Sequence, residues 1–170
     1  IMLNYAQDYD IIKEVSEGKD IHRVIASEVF KKPMDQITDK ERVIAKTIVF
    51  GLIYGRGPRS LAETLNISLT EAYKFIDSFF KKHKKIKDWM DKQCEIVKKE
   101  KKVKSLFGRI RRLYSIDSID QGIAAKAERQ AINFPIQSTA SDITSSTLVR
   151  LWNRFIEEGY QARPILIIHD

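Results

Sequence analysis

One stretch sets the interpretation of this chain, and it reads Arg42-Val43-Ile44-Ala45-Lys46-Thr47-Ile48-Val49-Phe50-Gly51-Leu52-Ile53-Tyr54-Gly55. Arg42, Lys46, Phe50 and Tyr54 recur at every fourth residue. Because a four-residue step turns an α-helix about 40° beyond a full circle, all four fall within an arc of roughly 120°. Two cations one turn apart suit a triphosphate, and the aromatic rings further along suit a sugar and a base. The spacing therefore predicts a helix with one nucleotide-binding face.

The same spacing has a simpler interpretation. An ordinary amphipathic helix with Phe50 and Tyr54 in a core would show it too. The opposite side of the helix is apolar and can pack on the body of the protein through Ile44, Ala45, Ile48 and Leu52. The choice between the two interpretations depends on the rest of the chain.

The pattern Arg-x-x-x-Lys-x-x-x-Phe-Gly-x-x-Tyr-Gly resembles the motif B helix of family A DNA polymerases, the bacterial DNA polymerase I class. The resemblance implies a helix of the mobile fingers in which Arg42 and the catalytic Lys46 bind the triphosphate of a dNTP. It also implies that Phe50 packs on the sugar, while Tyr54 and Gly55 lie beside the template or nascent base pair. Val49 stands where the family often has Asn, at a position that is not a principal nucleotide contact.

Other segments resemble the same family, in the family's order. Asp20-Ile21-His22 resembles its Asp-Ile-His segment, which implies that His22 reaches the nucleotide phosphates; a histidine at such a place would otherwise be a locally satisfied side chain. The stretch Arg129–Asp142 resembles another family segment. That resemblance implies that Arg129 and Gln137 contact primer-template DNA and that Asn133 helps to position the minor groove or the active site.

The chain ends in Ile168-His169-Asp170, which resembles the start of the family's motif C. The resemblance implies that Asp170 is a catalytic, metal-binding carboxylate and that His169 neighbours the primer end. Such a polymerase uses two Mg²⁺ ions, which prefer hard oxygen ligands, held by two aspartates. The second, in motif A, is expected upstream of Ile1, outside this chain. We therefore interpret the chain as an incomplete fragment and expect it not to extend a primer alone.

Composition agrees with a nucleic-acid partner without requiring one. Thirty Lys and Arg residues against 23 Asp and Glu give a net charge of +7. The single cysteine, Cys94, argues against a disulfide framework or a cysteine zinc site. The apolar runs are too short to cross a membrane, so we expect an intracellular protein without a membrane partner.

The predicted fold is mostly α with a minor β component. Capping residues Asp20, Thr38 or Asp39, and Ser68 mark three helix starts. The lysine-rich stretch 81–104 predicts the solvated face of one or two amphipathic helices, and Phe107-Gly108-Arg109 predicts a hairpin in which the roles of the arginines stay open. Two further helices are expected at 124–131 and 138–158, with Gly159 as the cap, followed by a strand at 162–168.

The resemblance also suggests a division of the chain. Residues 1–30 would be palm-to-fingers helices after motif A, residues 31–128 the fingers region with the motif B helix at 40–55, and residues 129–170 the return to the palm. The partners would be primer-template DNA, dNTPs, and the remaining palm, thumb and any exonuclease domain. Two alternatives stay open: a single-subunit RNA polymerase of the phage type, and a noncatalytic basic DNA-binding module.

Overall fold

The structure, a computed structural model, is described for residues 1–166. It is mostly helical with one small sheet, as the sequence predicts. The helices are α1 (Met2–Ala6), α2 (Tyr9–Ser16), α3 (Ile21–Phe30), α4 (Asp39–Ile53), α5 (Pro58–Leu65), α6 (Leu69–Lys82), α7 (Lys84–Glu100) and α8 (Gln121–Glu157). Two short 3-10 turns are Met34–Gln36 and Tyr114–Asp117, and the strands are β1 (Lys102–Lys104) and β2 (Ile110–Arg112).

The three predicted helix starts are confirmed. Asp20 caps α3 by accepting hydrogen bonds from the backbone N–H groups of His22 and Arg23. Thr38, rather than Asp39, caps α4, and Ser68 caps α6. The last two form reciprocal capping boxes with a glutamate three residues later, which satisfies backbone donors that would otherwise lack partners.

α4 ends where its sequence predicts. Tyr54 is the C-terminal cap, and Gly55 follows with φ +76°, a left-handed conformation that glycine adopts without a steric penalty. The Arg56 N–H donates to the Gly51 carbonyl at 2.7 Å, and the Gly55 N–H donates to the Leu52 carbonyl at 3.0 Å. These two bonds form a Schellman motif, which fixes the direction in which the chain leaves the helix.

Three apolar clusters hold the elements together. The first lies between α3, α4, α5 and α6 and includes Ala45, Ile48 and Leu52, which confirms that the apolar side of α4 packs on the body. The second joins α1, α7 and α8 around Trp89. The third joins α7, the hairpin and α8 around Val97.

The lysine-rich stretch and the hairpin both form as predicted. α7 is amphipathic and buries Ile86, Trp89, Met90 and Val97. Strands β1 and β2 pair antiparallel with Val103 opposite Arg111, and Gly108 takes φ +88° in the connecting turn. The hairpin therefore carries its cations on a surface element that one buried valine, Val103, anchors.

The expectation of two helices at 124–131 and 138–158 is wrong, because α8 is continuous from Gln121 to Glu157 with Pro135 in its interior. A proline there removes one helical hydrogen bond and crowds the preceding turn. Contacts with the rest of the chain offset that cost: Pro135 is buried, and the Tyr5 hydroxyl donates to its carbonyl at 3.4 Å. Gly159 follows the helix with φ +71°, as expected for a terminating glycine.

The expected closing strand does not form in residues 162–166, which have no regular structure, and its last two residues lie outside the described part of the chain. A strand needs a hydrogen-bonding neighbour. Within residues 1–166 the two strands of the hairpin pair with each other and form a two-stranded sheet. In the same range, no helix combines the length and the apolar character that crossing a membrane requires.

Candidate functional site

The predicted face of α4 meets the start of α3. The Phe50 ring lies 5.9 Å from the Tyr54 ring and 5.9 Å from the His22 ring, centroid to centroid. The Lys46 ammonium lies 5.8 Å from the Phe50 centroid. Arg42, one turn before Lys46, is ion-paired with Asp20. Thus the five residues expected to bind nucleotide, taken from two helices, form one continuous surface.

This surface is open to solvent. Phe50 is 40% exposed, Lys46 is exposed, and Arg42 and Tyr54 are half-buried. The interpretation that places Phe50 and Tyr54 in a core is therefore wrong, because neither ring is enclosed. Beside them lies a depression of about 370 Å³, lined by Val43, Lys46, Thr47, Phe50, Gly51, Tyr54 and Arg56. The surface has room for a ligand.

Electrostatics on this surface favour an anion. Burial lowers the pKa of His22, and the nearby Arg42 and Lys46 cations lower it further, while Asp20 opposes them. Its Nδ1 is buried and has no hydrogen-bond partner within residues 1–166. Because an added negative charge would offset the two cations, a phosphate here would favour the protonated, hydrogen-bonding form of His22.

Three of the five residues expected to contact DNA share one face of α8. Arg129, Asn133 and Gln137 are spaced four apart, and the continuity of the helix through Pro135 keeps them in line. Arg129 and Gln137 are exposed, whereas Asn133 is half-buried with its Oδ1 buried and lacking a hydrogen-bond partner in the described part of the chain. The row can present a cation and two amides to a ligand.

The end of α4 touches the start of this row. A Cβ atom built on Gly55 would lie 2.7 Å from Cγ of Arg129, closer than real Cβ contacts come. Gly55 is therefore required for two reasons, its left-handed backbone and its close approach to the Arg129 stem. Tyr54 and Gly55 thus lie where the predicted nucleotide surface meets the predicted DNA row.

The residues predicted to take part in metal binding lie at the end of the chain, away from these two surfaces in sequence. His169 and Asp170 lie outside the described residues. Among residues 1–166, no three His, Cys, Asp or Glu side chains are grouped so that they could hold a metal ion. Burial raises the pKa of the Cys94 thiol, so this group is not poised to act as a nucleophile or thiolate ligand.

Two contacts that support the site join residues far apart in the chain, so the sequence did not predict them. Tyr5, in α1, shares a hydrogen bond of 2.8 Å with the Thr139 hydroxyl and accepts one of 2.7 Å from the Leu106 N–H, so it ties α8 to the hairpin. Its partners are more than a hundred residues away, and no local pattern reveals them. Asp20 was predicted as a helix cap, but its ion pair with Arg42 joins residues 22 positions apart.

Comparisons with known proteins agree on one family. A sequence model of DNA polymerase family A matches residues 1–170. DNA polymerase I of Streptococcus pneumoniae is 36% identical over 172 aligned residues, and the thermostable DNA polymerase I of Thermus thermophilus is 35% identical over 170. Each match covers 100% of this chain and 20% of the relative, so the chain spans about a fifth of these proteins.

Two further matches widen the range of relatives. A DNA polymerase of Bacillus phage SP01 is 37% identical over 158 residues, covering 90% of this chain and 17% of the phage protein. The POL domain of Pol1 from M. smegmatis, solved in complex with DNA primer-template and dNTP, superposes with a TM-score of 0.91 at 30% identity. That superposition covers 99% of this chain and 30% of the solved chain.

Proposed function

Because this chain belongs to DNA polymerase family A, we propose that the protein carrying it performs template-directed DNA synthesis in replication or repair. The reaction transfers a nucleotidyl group from a dNTP to a primer 3′-hydroxyl. Within that protein, the chain supplies nucleotide and template contacts. Membership in this family favours the DNA enzyme over a single-subunit RNA polymerase and over a noncatalytic DNA-binding module.

The observation that carries the proposal is the single open surface formed by α3 and α4. Arg42 and Lys46 are one helical turn apart, and His22 lies beside them, so three nitrogen-bearing side chains face one region. In this proposal they bind the triphosphate, and Lys46 also stabilises the charge that develops as pyrophosphate leaves. Phe50 packs on the sugar, and Tyr54 lies beside the templating base.

The α8 row supplies the contacts to DNA. Arg129 and Gln137 are exposed and spaced two turns apart, which suits successive phosphates, sugars or base edges of a primer-template. Asn133 has an acceptor that protein groups in the described range leave unused. Since Gly55 contacts the Arg129 stem, the DNA row and the nucleotide surface lie side by side, as a templated reaction needs.

Two Mg²⁺ ions are proposed for the complete site. Asp170 would be one ligand, a second carboxylate would come from outside this chain, and His169 would lie near the primer end. Carboxylate oxygen is the donor that Mg²⁺ prefers, so the residue type fits. The ions, when bound, would activate the 3′-hydroxyl and neutralise the leaving pyrophosphate.

The domain assignment remains part of the proposal. We assign residues 1–30 to palm-to-fingers helices, residues 31–128 to the fingers region and residues 129–170 to the return to the palm. The partners proposed are primer-template DNA, dNTPs, and the remaining palm, thumb and any exonuclease domain. An intracellular location follows from a substrate that is cellular or phage DNA.

Primer extension by the whole protein tests this function. We expect dNTP incorporation that depends on template sequence and on Mg²⁺, and its loss in an Asp170→Ala variant that still binds duplex. The chain of residues 1–170 alone is expected to give no extension above background. Extension by Asp170→Ala at the wild-type rate, or a preference for ribonucleotides over deoxynucleotides, would contradict the proposal.

A further inference from the structure

We propose that Asp20 is a positioning residue for nucleotide binding, which holds the guanidinium of Arg42 in the orientation in which it meets the triphosphate. This inference rests on the proposed function, because it assigns Asp20 a role through Arg42. Asp20 itself carries negative charge and is not expected to touch the nucleotide.

The two carboxylate oxygens of Asp20 have separate partners. Oδ1 accepts the backbone N–H groups of His22 at 3.0 Å and Arg23 at 3.2 Å, so it is fixed to the first turn of α3. Oδ2 accepts the Nε–H of Arg42. The backbone hydrogen bonds therefore hold the carboxylate in place independently of the arginine. A fixed carboxylate can in turn fix the orientation of the flexible Arg42 side chain.

Because Asp20 binds the Nε–H of Arg42, the other N–H donors of the guanidinium remain available for a ligand. Arginine presents five N–H donors in a planar fork, and the two terminal nitrogens carry four of them. With Nε bound to Asp20, the terminal nitrogens keep donors that can engage phosphate oxygens in two parallel bonds. Without Asp20, the same side chain would sample several rotamers and would lose that freedom only on binding.

The ionisation state of Asp20 favours its pairing with Arg42. Although partial burial opposes ionisation, hydrogen bonds from Arg42 and from backbone N–H groups hold the pKa of Asp20 below its usual value. Asp20 is thus an anion at neutral pH. The side chains of Arg42 and Asp20 are 36% and 34% exposed, so water weakens the pair without displacing it, and the guanidinium stays reachable from solvent.

A neighbouring pair offers a matched control. Arg23 of α3 donates to the Ile37 carbonyl at 3.1 Å and to Asp39 at 3.0 Å, so it also bridges α3 to the start of α4. The Asp39 side chain is 92% exposed, and the pair involves none of the residues placed on the nucleotide surface. Breaking it tests whether any loss of α3–α4 bridging weakens nucleotide binding.

The experiment uses the whole polymerase and single-turnover nucleotide addition, which separates nucleotide Kd from maximal rate. Asp20→Ser keeps a good helix cap but is too short to reach Arg42, whereas Asp20→Asn keeps the cap through its single amide oxygen and turns an N–H donor, not an acceptor, toward Arg42. We expect Asp20→Ser to raise nucleotide Kd about fivefold to tenfold, the net scale of one ordinary hydrogen bond, because both partners are partly exposed to water. Asp20→Asn should raise it by at least as much, although its side chain has the same length as that of Asp20. Asp39→Ser should leave it unchanged, and all three variants should melt close to wild type.

A double-mutant cycle with Arg42→Ala separates the possible failures. If Asp20 acts through Arg42, adding Asp20→Ser to Arg42→Ala will have no further effect on nucleotide Kd. Full effects in both backgrounds, no effect of Asp20→Ser where Arg42→Ala has one, or equal losses in Asp20→Ser and Asp39→Ser would each overturn the positioning role. An Arg42→Ala variant with wild-type nucleotide Kd would instead overturn the proposed role of the α4 surface.

Discussion

Helices α4 and α8 carry the two halves of the proposed site, and they are specified in different ways. α4 begins at a capping box and ends at a glycine in a Schellman motif, so its own residues set both boundaries. α8 runs through Pro135 without a break. Near the proline, Tyr5 forms hydrogen bonds to α8, and α8 packs against α7 and the hairpin. One helix follows local rules, whereas the other depends on the tertiary structure.

The two helices should respond differently to substitution. The side chains of the nucleotide surface lie opposite the apolar side of α4 and are exposed or half-buried, so single side chains there can change without disturbing the fold. The DNA row needs Arg129, Asn133 and Gln137 to stay aligned across an interior proline. Substitutions at α4 should therefore act on chemistry, and substitutions around α8 should act first on stability or on the placement of DNA contacts.

The sharpest difference is expected at Lys46. In the whole polymerase, Lys46→Ala should lower the rate of single-turnover nucleotide addition about 100-fold and weaken nucleotide affinity, because a preorganised cation is lost where charge develops. Duplex binding should be unchanged. Lys40→Ala is the control, since Lys40 is exposed on the same helix but points about 160° away from Arg42 and about 120° away from Lys46. Equal losses in both variants would show that charge alone matters.

Gly55→Ala should affect both halves. A left-handed alanine costs about 1–2 kcal/mol, and the new methyl would in addition meet the Arg129 stem. We expect a lower melting temperature together with weaker primer-template binding, measured by fluorescence anisotropy. Gly18→Ala is the matched control, because Gly18 also has positive φ, +83°, but nothing within 4 Å of the added atom. Gly18→Ala should lower the melting temperature and leave DNA binding unchanged. Unchanged DNA binding in Gly55→Ala would contradict the proposal that the nucleotide surface and the DNA row meet at Gly55.

The smallest effect is expected at Tyr5, whose hydroxyl links α1 to α8. Tyr5→Phe removes the hydroxyl that contacts Pro135, Thr139 and Leu106, which leaves the buried Thr139 hydroxyl with a longer bond of 3.4 Å from the Leu106 N–H. The free energy of unfolding should fall by about 1 kcal/mol in urea denaturation. Tyr9→Phe, at a tyrosine that is 65% exposed, should leave it unchanged. If both variants match the wild type, α8 is continuous without help from α1.

The same contrast explains how far sequence could predict this molecule. The start and end of α4 were predicted because caps and glycine act within one or two turns, and its face was predicted because a four-residue period is geometric. The continuity of α8 was not, since a proline signals a break and the contacts of Tyr5 come from 130 residues away. The pairing of Asp20 with Arg42 was missed for the same reason, because it is a contact between helices.

The closeness of Gly55 and Arg129 also limits how this protein can change over time. A residue with a side chain at position 55 would require a shorter stem at position 129, and a shorter stem would surrender the guanidinium. A side chain at position 55 is therefore disfavoured for as long as Arg129 stays as it is. Among descendants of this sequence, we expect position 55 to change only where position 129 also changes, although the two positions are 74 apart in the chain.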